Sequence, residues 1–202
     1  MRNGRSYLAS VAMVILAVSA QADNGAFAVL FNGNQDGSGS YVAVPDSDAF
    51  DLTQPFTIET WVNWDGDPSY RAYLSKPIGD EPGFVVTGVT MVVVDGFPCL
   101  ALQDVGVSRF TCASSGLSPS TWTHVAATYD GAQIRLYVNG TQVAAVARTG
   151  TYEQNTNPLW IGGNAVYGEH FQGRIDDLRI YNRALSVTEI QSDMNAPVGA
   201  TP

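Results

Sequence analysis

Few residues of this 202-residue chain are placed to do chemistry, and their spacing excludes more than it supports. Glycoside hydrolysis needs two carboxylates flanking a cleft, one acting as acid and one as nucleophile or base. The glutamates are Glu59, Glu81, Glu153, Glu169 and Glu189, each isolated in sequence. His124 and His170 are the only histidines, and Cys99 and Cys112 the only cysteines, so neither zinc chemistry nor a nucleophile with its base has a local motif. The chain reads as non-catalytic.

Binding chemistry is better represented. The stretch Asn32-Gly33-Asn34-Gln35-Asp36-Gly37 resembles the first half of a helix-loop-helix calcium loop, which requires a bidentate Glu at its twelfth position. That position is Ala43, and strands flank the stretch, so this form of site fails. Carbohydrate needs aromatic faces for sugar rings and polar groups for hydroxyls. The candidates are Trp64 and Tyr70 around the loop 65–69, Tyr152, and Tyr167 with Glu169 and His170 before the last strand. Each taken alone is equally ordinary loop packing. Trp61 and Trp122, inside strands, are read as core fillers and His124 as a hydrogen-bonded strand residue. Asn139-Gly140-Thr141 is a glycosylation sequon in a tight turn, read as coincidence.

The elements that must position these groups are strands. Between Ser120 and Ala147 three strands are joined by Asp130-Gly131 and Asn139-Gly140, which supply the positive φ angles of tight hairpin turns. In the middle strand Ile134, Leu136 and Val138 alternate with Gln133, Arg135 and Tyr137, the pattern of one buried and one wet face. A second layer must cover the apolar face, which makes the domain a β-sandwich. Further strands are expected at 26–31, 41–44, 56–64, 70–75, 85–94, 99–103, 107–113, 159–162 and 171–181, about a dozen in all. Ser186 and Glu189 form a capping box that opens a short helix over 187–194, and residues 195–202 read as a flexible tail.

Arg2 and Arg5 precede an apolar run of about 12 residues ending in Ala20-Gln21-Ala22, the pattern of a secretory signal peptide over residues 1–22, too short to span a bilayer. Cleavage after Ala22 leaves 180 residues, enough for one all-β domain over 23–194. Losing two arginines moves the net charge from −9 to −11, which argues against nucleic acid or an anionic membrane surface as partner. A secreted protein, extracellular or periplasmic, is expected. In such a chain Cys99 and Cys112 most simply pair with each other; free thiols or a metal site are the alternatives. Opposing them across a hairpin also sets Leu100 beside Thr111, Leu102 beside Arg109 and Asp104 beside Val107.

Four ordered motifs now stand together: 56–62 (FTIETWV), 122–131 (WTHVAATYDG), 136–140 (LYVNG) and 173–186 (GRIDDLRIYNRALS). This combination resembles the laminin-G-like domains of the concanavalin A-like lectin and glucanase superfamily, over about 26–191. The resemblance implies an all-β, two-sheet antiparallel jelly roll. The glucanases of that superfamily carry a Glu-x-Asp-x-x-Glu strand, which is absent here. Its members often hold one structural Ca2+. The matching positions are Asn32, Ser40 and Asp176, so Asn32 and Asp176 are the expected ligands, with Asn34 or Asp36 as substitutes. The function so implied is a recognition module for carbohydrate. The alternatives are an adhesive domain for an extracellular protein and a divergent polysaccharide-degrading enzyme.

Overall fold

A computed structural model describes residues 13–15, 28–34, 39–52, 55–77, 87–104, 107–149, 155–164 and 168–198. The chain runs through β1 (Met13–Ile15), β2 (Val29–Asn32), β3 (Val42–Val44), a 3₁₀ turn (Asp48–Phe50), β4 (Phe56–Trp64), β5 (Arg71–Pro77) and β6 (Thr87–Val94). It continues through β7 (Phe97–Asp104), β8 (Val107–Cys112), β9 (Trp122–Tyr129), β10 (Gln133–Val138), β11 (Thr141–Ala147), β12 (Leu159–Ile161), β13 (Gln172–Tyr181) and helix α1 (Val187–Met194). Two antiparallel sheets result. The seven-stranded one is ordered β1-β13-β4-β9-β10-β11, with β2 also on β13; the six-stranded one is β3-β12-β5-β6-β7-β8.

Period-two alternation builds the core between them. Ile58, Val62, Val125, Ala127, Ile134, Leu136, Ile175 and Ile180 from one sheet meet Leu74, Met91, Val93, Leu100, Leu102 and Leu159 from the other, all buried. β4 sits between β13 and β9, the central place that its two-sided bulk implies.

Two hairpin details differ from expectation. Asn139-Gly140 is a two-residue turn, with φ of 49° and 70° and Val138 opposite Thr141. Asp130-Gly131 lies instead in a three-residue connection between Tyr129 and Gln133, with Tyr129 opposite Ile134 and the Asp130 carboxylate accepting from the backbone of Ala132 and Gln133. The second face of β10 is not wholly wet either. Tyr137 is buried with Ala126, Tyr181, Leu185 and Ile190, because α1 packs on that face.

The capping box is present as expected: Ser186 and Glu189 bond reciprocally, and α1 covers Val187–Met194. Of the expected tail 195–202, residues 195–198 are held by contacts, and residues 199–202 lie outside the described residues. Arg179 donates to the carbonyl of Ala196, and the Val198 N–H donates to Asp177 at 2.8 Å. A register irregularity between Asp176 and Arg179, with Asp177 at φ 48°, turns the Asp177 carboxylate toward that segment. The expected signal peptide lies outside the described residues except for Met13–Ile15, which pairs with Arg179–Tyr181.

The cysteines form the expected bridge, and Cys99↔Cys112, Leu100↔Thr111, Leu102↔Arg109 and Asp104↔Val107 all pair as the hairpin register requires. Replacing both cysteines by serine is expected to lower the unfolding free energy by about 3 kcal/mol in urea denaturation. An unchanged midpoint would mean that the β7–β8 ladder alone holds this flank.

Candidate functional site

One end of the sandwich gathers three loops, those following β2, preceding β5 and preceding β13, around a single cation. Arg71 is buried, and its Nη1 donates to the carbonyls of Gly33 at 2.7 Å and His170 at 3.0 Å. Its Nη2 pairs with the carboxylate of Asp67. Asp67 also receives the Ser69 N–H at 2.7 Å, while its carbonyl accepts from the indole of Trp64 at 3.0 Å.

The third loop is pinched by Asn164 and Glu169, whose backbones exchange hydrogen bonds at 3.2 and 3.3 Å. The Asn164 side chain donates to the Glu169 carboxylate at 3.3 Å. Burial pushes that carboxyl up to about 7, against the lowering effect of the Asn164 hydrogen bond. Burial, reinforced by the nearby Glu169, drives the Tyr70 phenol upward.

Beside this pair stands an aromatic group. Tyr41, 44% exposed, stacks on His170 with centroids 5.7 Å apart and meets Trp160 edge-on at 6.2 Å. Trp160 is half-buried; it alternates with the core residues Leu159 and Ile161 and so faces away from the core. Gly163 is required here, since a Cβ would come within 2.6 Å of His170 Nδ1 and 3.3 Å of the Tyr41 Cβ.

Register carries Trp160 opposite Ser75, then Thr90, Ala101 and Phe110, all on that outer face. Ser75, Thr90 and Ala101 are buried, so accessible aromatic surface lies at the ends of the row. Phe110, 39% exposed, meets Tyr70 in a T-shaped contact at 5.7 Å.

The sequence-based sugar candidates divide accordingly. Tyr70, Glu169 and His170 do come together. His170, however, is buried and presents no ring face of its own; it supports Tyr41. Trp64 is corrected from an exposed loop aromatic to a core residue, 5% exposed. Tyr152 and Tyr167 lie outside the described residues. Tyr41 and Trp160, the exposed members, were not among the candidates. Trp122 is 37% exposed and Trp61 half-buried, so neither is the expected core filler.

The expected calcium ligands do not fit as a set. Asn32 pairs with Gln172, four residues from Asp176 along β13, about 13 Å of strand. The Asn32 carboxamide accepts the Ser40 N–H at 2.7 Å, and Asp176 accepts the N–H of Asp177 at 2.8 Å. Asn34 is exposed, and Asp36 lies outside the described residues. Among the described residues no three His, Cys, Asp or Glu side chains are grouped to hold a metal. Asp46 and Asp51 pair with Lys76.

A second polar cluster lies under α1. Glu59 and His124 are fully buried, with Oε2 and Nε2 4.0 Å apart, and Arg179 lies 3.6 Å from Glu59. Tyr181 donates to Asp193 of α1 at 2.7 Å. Burial, reinforced by Asp193 and opposed by Arg179, pushes Glu59 up to about 8. Burial and Arg179 push His124 down to about 4. Glu59 faces α1 whereas Glu169 lies at the loop end against β5, so these carboxylates do not flank a common cleft.

A family model described as the concanavalin A-like lectin/glucanases superfamily matches residues 36–191. Pappalysin-1 of Mus musculus is 38% identical over 89 residues, which is 42% of this chain and 5% of that protein. The chain thus spans only a small part of the curated relative it matches. Among solved structures, one of botulinum neurotoxin type C, whose cell entry depends on two ganglioside molecules, superposes with a TM-score of 0.65 at 12% identity, covering 92% of this chain and 46% of that one. The heptameric SAP-like pentraxin of Limulus polyphemus superposes with a TM-score of 0.62 at 15% identity, covering 85% and 82%.

Two outcomes are expected of these clusters. Arg71→Met leaves two carbonyls and the partly exposed Asp67 without their donor and should cost about 1–3 kcal/mol in chemical denaturation, whereas no measurable loss would remove Arg71 as the organiser. For pH, Glu59 keeps its proton in the folded state while the unfolded state ionises near 4.5, so stability falls as pH rises toward 8. His124 acts oppositely, but only below about 6.5, and Glu169 adds to the fall up to about 7. Calorimetry should show stability dropping by about 1 kcal/mol per unit between pH 6.5 and 7.5, and Glu59→Gln should reduce that slope. An equal slope in the variant would reassign it.

Proposed function

Because the chain belongs to the laminin-G-like group of the concanavalin A-like lectin/glucanase superfamily, we propose that it is a secreted, non-catalytic recognition module that binds carbohydrate. One observation carries this reading: Tyr41 and Trp160 stand exposed and half-exposed, braced by His170, whose chain neighbour Glu169 is half-buried and held by the buried Asn164. An aromatic face for a sugar ring next to acceptors and donors for hydroxyls is the usual makeup of such a site. The separation of Glu59 from Glu169, which do not share a cleft, supports the non-catalytic part of the reading.

An adhesive domain for an extracellular protein is the second reading, favoured by Leu30, Phe97 and Trp122, which are apolar and 65%, 39% and 37% exposed. The Cys99–Cys112 bridge accords with an extracellular or periplasmic place.

A glycan array probed with the full-length protein should show binding, and Trp160→Ala with Tyr41→Ala should weaken it at least about tenfold, the scale of losing aromatic contacts. Binding unchanged in both variants would move the site elsewhere. Absence of binding to every glycan would leave the protein-partner reading.

A further inference from the structure

The recognition site just proposed has neighbours that select among sugars. We infer that it takes neutral, hydroxyl-rich glycans and rejects those bearing carboxylate or sulfate; this rests on the carbohydrate reading of the Tyr41–Trp160 site.

The argument is one of charge placement. An acidic sugar requires a cation or a set of free N–H donors at its anionic group. The cations whose side chains are described are nearly all engaged elsewhere. Arg71 is held by Asp67, Lys76 by Asp46 and Asp51, Arg135 by Asp130, Arg179 by Glu59, and Arg183 by Glu189. Arg148 is buried and donates to the carbonyl of Leu102 at 3.5 Å. Arg174 is exposed, but it alternates with the core residue Ile175 and so stands on the outer face of the seven-stranded sheet, whereas Trp160 stands on the other sheet. The full chain carries a net charge of −9.

What the site offers instead is a carboxyl. Glu169 is half-buried beside the aromatic group, and its ionised form would repel an acidic ligand at short range in a partly desolvated setting. Hydroxyls suit it in either protonation state, accepting from or donating to it, while the buried Asn164 holds it in place. Tyr41 and Trp160 supply the apolar faces on which the C–H side of a neutral pyranose lies.

Isothermal titration of the full-length protein at pH 7.5 with a neutral galactose-terminated oligosaccharide, its sialylated counterpart and its sulfated counterpart separates the outcomes, after an array has chosen the neutral core that binds. The neutral form is expected to bind at least about tenfold more tightly than either acidic form. Glu169→Gln, which keeps shape while removing the charge, should narrow that ratio, with a single cooperative melting transition as the check on folding. Equal or tighter binding of the acidic forms overturns the selectivity and leaves the carbohydrate reading standing. An unchanged ratio in Glu169→Gln overturns the role of Glu169. No binding to any array glycan overturns both the inference and the reading beneath it.

Discussion

A guanidinium cannot shed its proton inside a protein, so once Arg71 is buried the surrounding chain must bring oxygen to it. Three loops without covalent connection near this point do so. The loop after β2 gives the Gly33 carbonyl, the loop before β13 gives the His170 carbonyl, and the loop before β5 gives the Asp67 carboxylate. Hydrophobic burial would hold such loops only loosely, because it has no direction. Hydrogen bonds to a planar cation fix both distance and angle. The arrangement of His170 under Tyr41, and of Glu169 beside Tyr70, follows from where Arg71 holds the backbone of 169–171.

The two sheets treat their outer faces differently, and this decides where recognition can occur. On the seven-stranded sheet the helix α1 closes over Ala126, Tyr137 and Tyr181, and Glu59, His124 and Arg179 are shut in. Uncompensated burial of charge is costly, so Glu59 holds its proton and His124 stays neutral, which leaves Arg179 as the charged partner. That face is committed to stability. On the six-stranded sheet the outward row from Trp160 to Phe110 has small residues at its middle and aromatics at its ends. There Trp160 and Phe110 keep aromatic surface within reach of solvent.

Much of the fold was legible because its signals are local. Asn139-Gly140 specifies a two-residue turn through its own φ angles, and Ser186 with Glu189 specifies the start of α1 within one turn. The hairpin from Cys99 to Cys112 is nearly as local, and a register drawn from the cysteines alone matches the ladder pair by pair. Asp130-Gly131 misled for a local reason too: the Asp130 carboxylate bonds the backbone of Ala132 and Gln133 and so widens the turn. Tyr137 and the segment to Val198 were misjudged because α1 and its C-terminal extension pack back onto strands distant in sequence.

The candidate site was legible only in outline, and the reason is the sandwich itself. Whether an aromatic is core or surface depends on which side of its strand meets the other sheet, and a single chain shows the alternation but not the partner. Trp64 ends a strand next to a polar loop, as an exposed aromatic would, yet its parity with Val62 turns it inward and its indole N–H is satisfied by Asp67. Trp160 sits in a three-residue strand between two core residues, where alternation alone could have marked it as outward. What could not be read is Tyr41 against His170, because 129 residues separate them and only the pairing of β3 with β12 and the packing of the β13 loop bring them together. Sites of this kind are made where strand order, rather than sequence order, sets the neighbours.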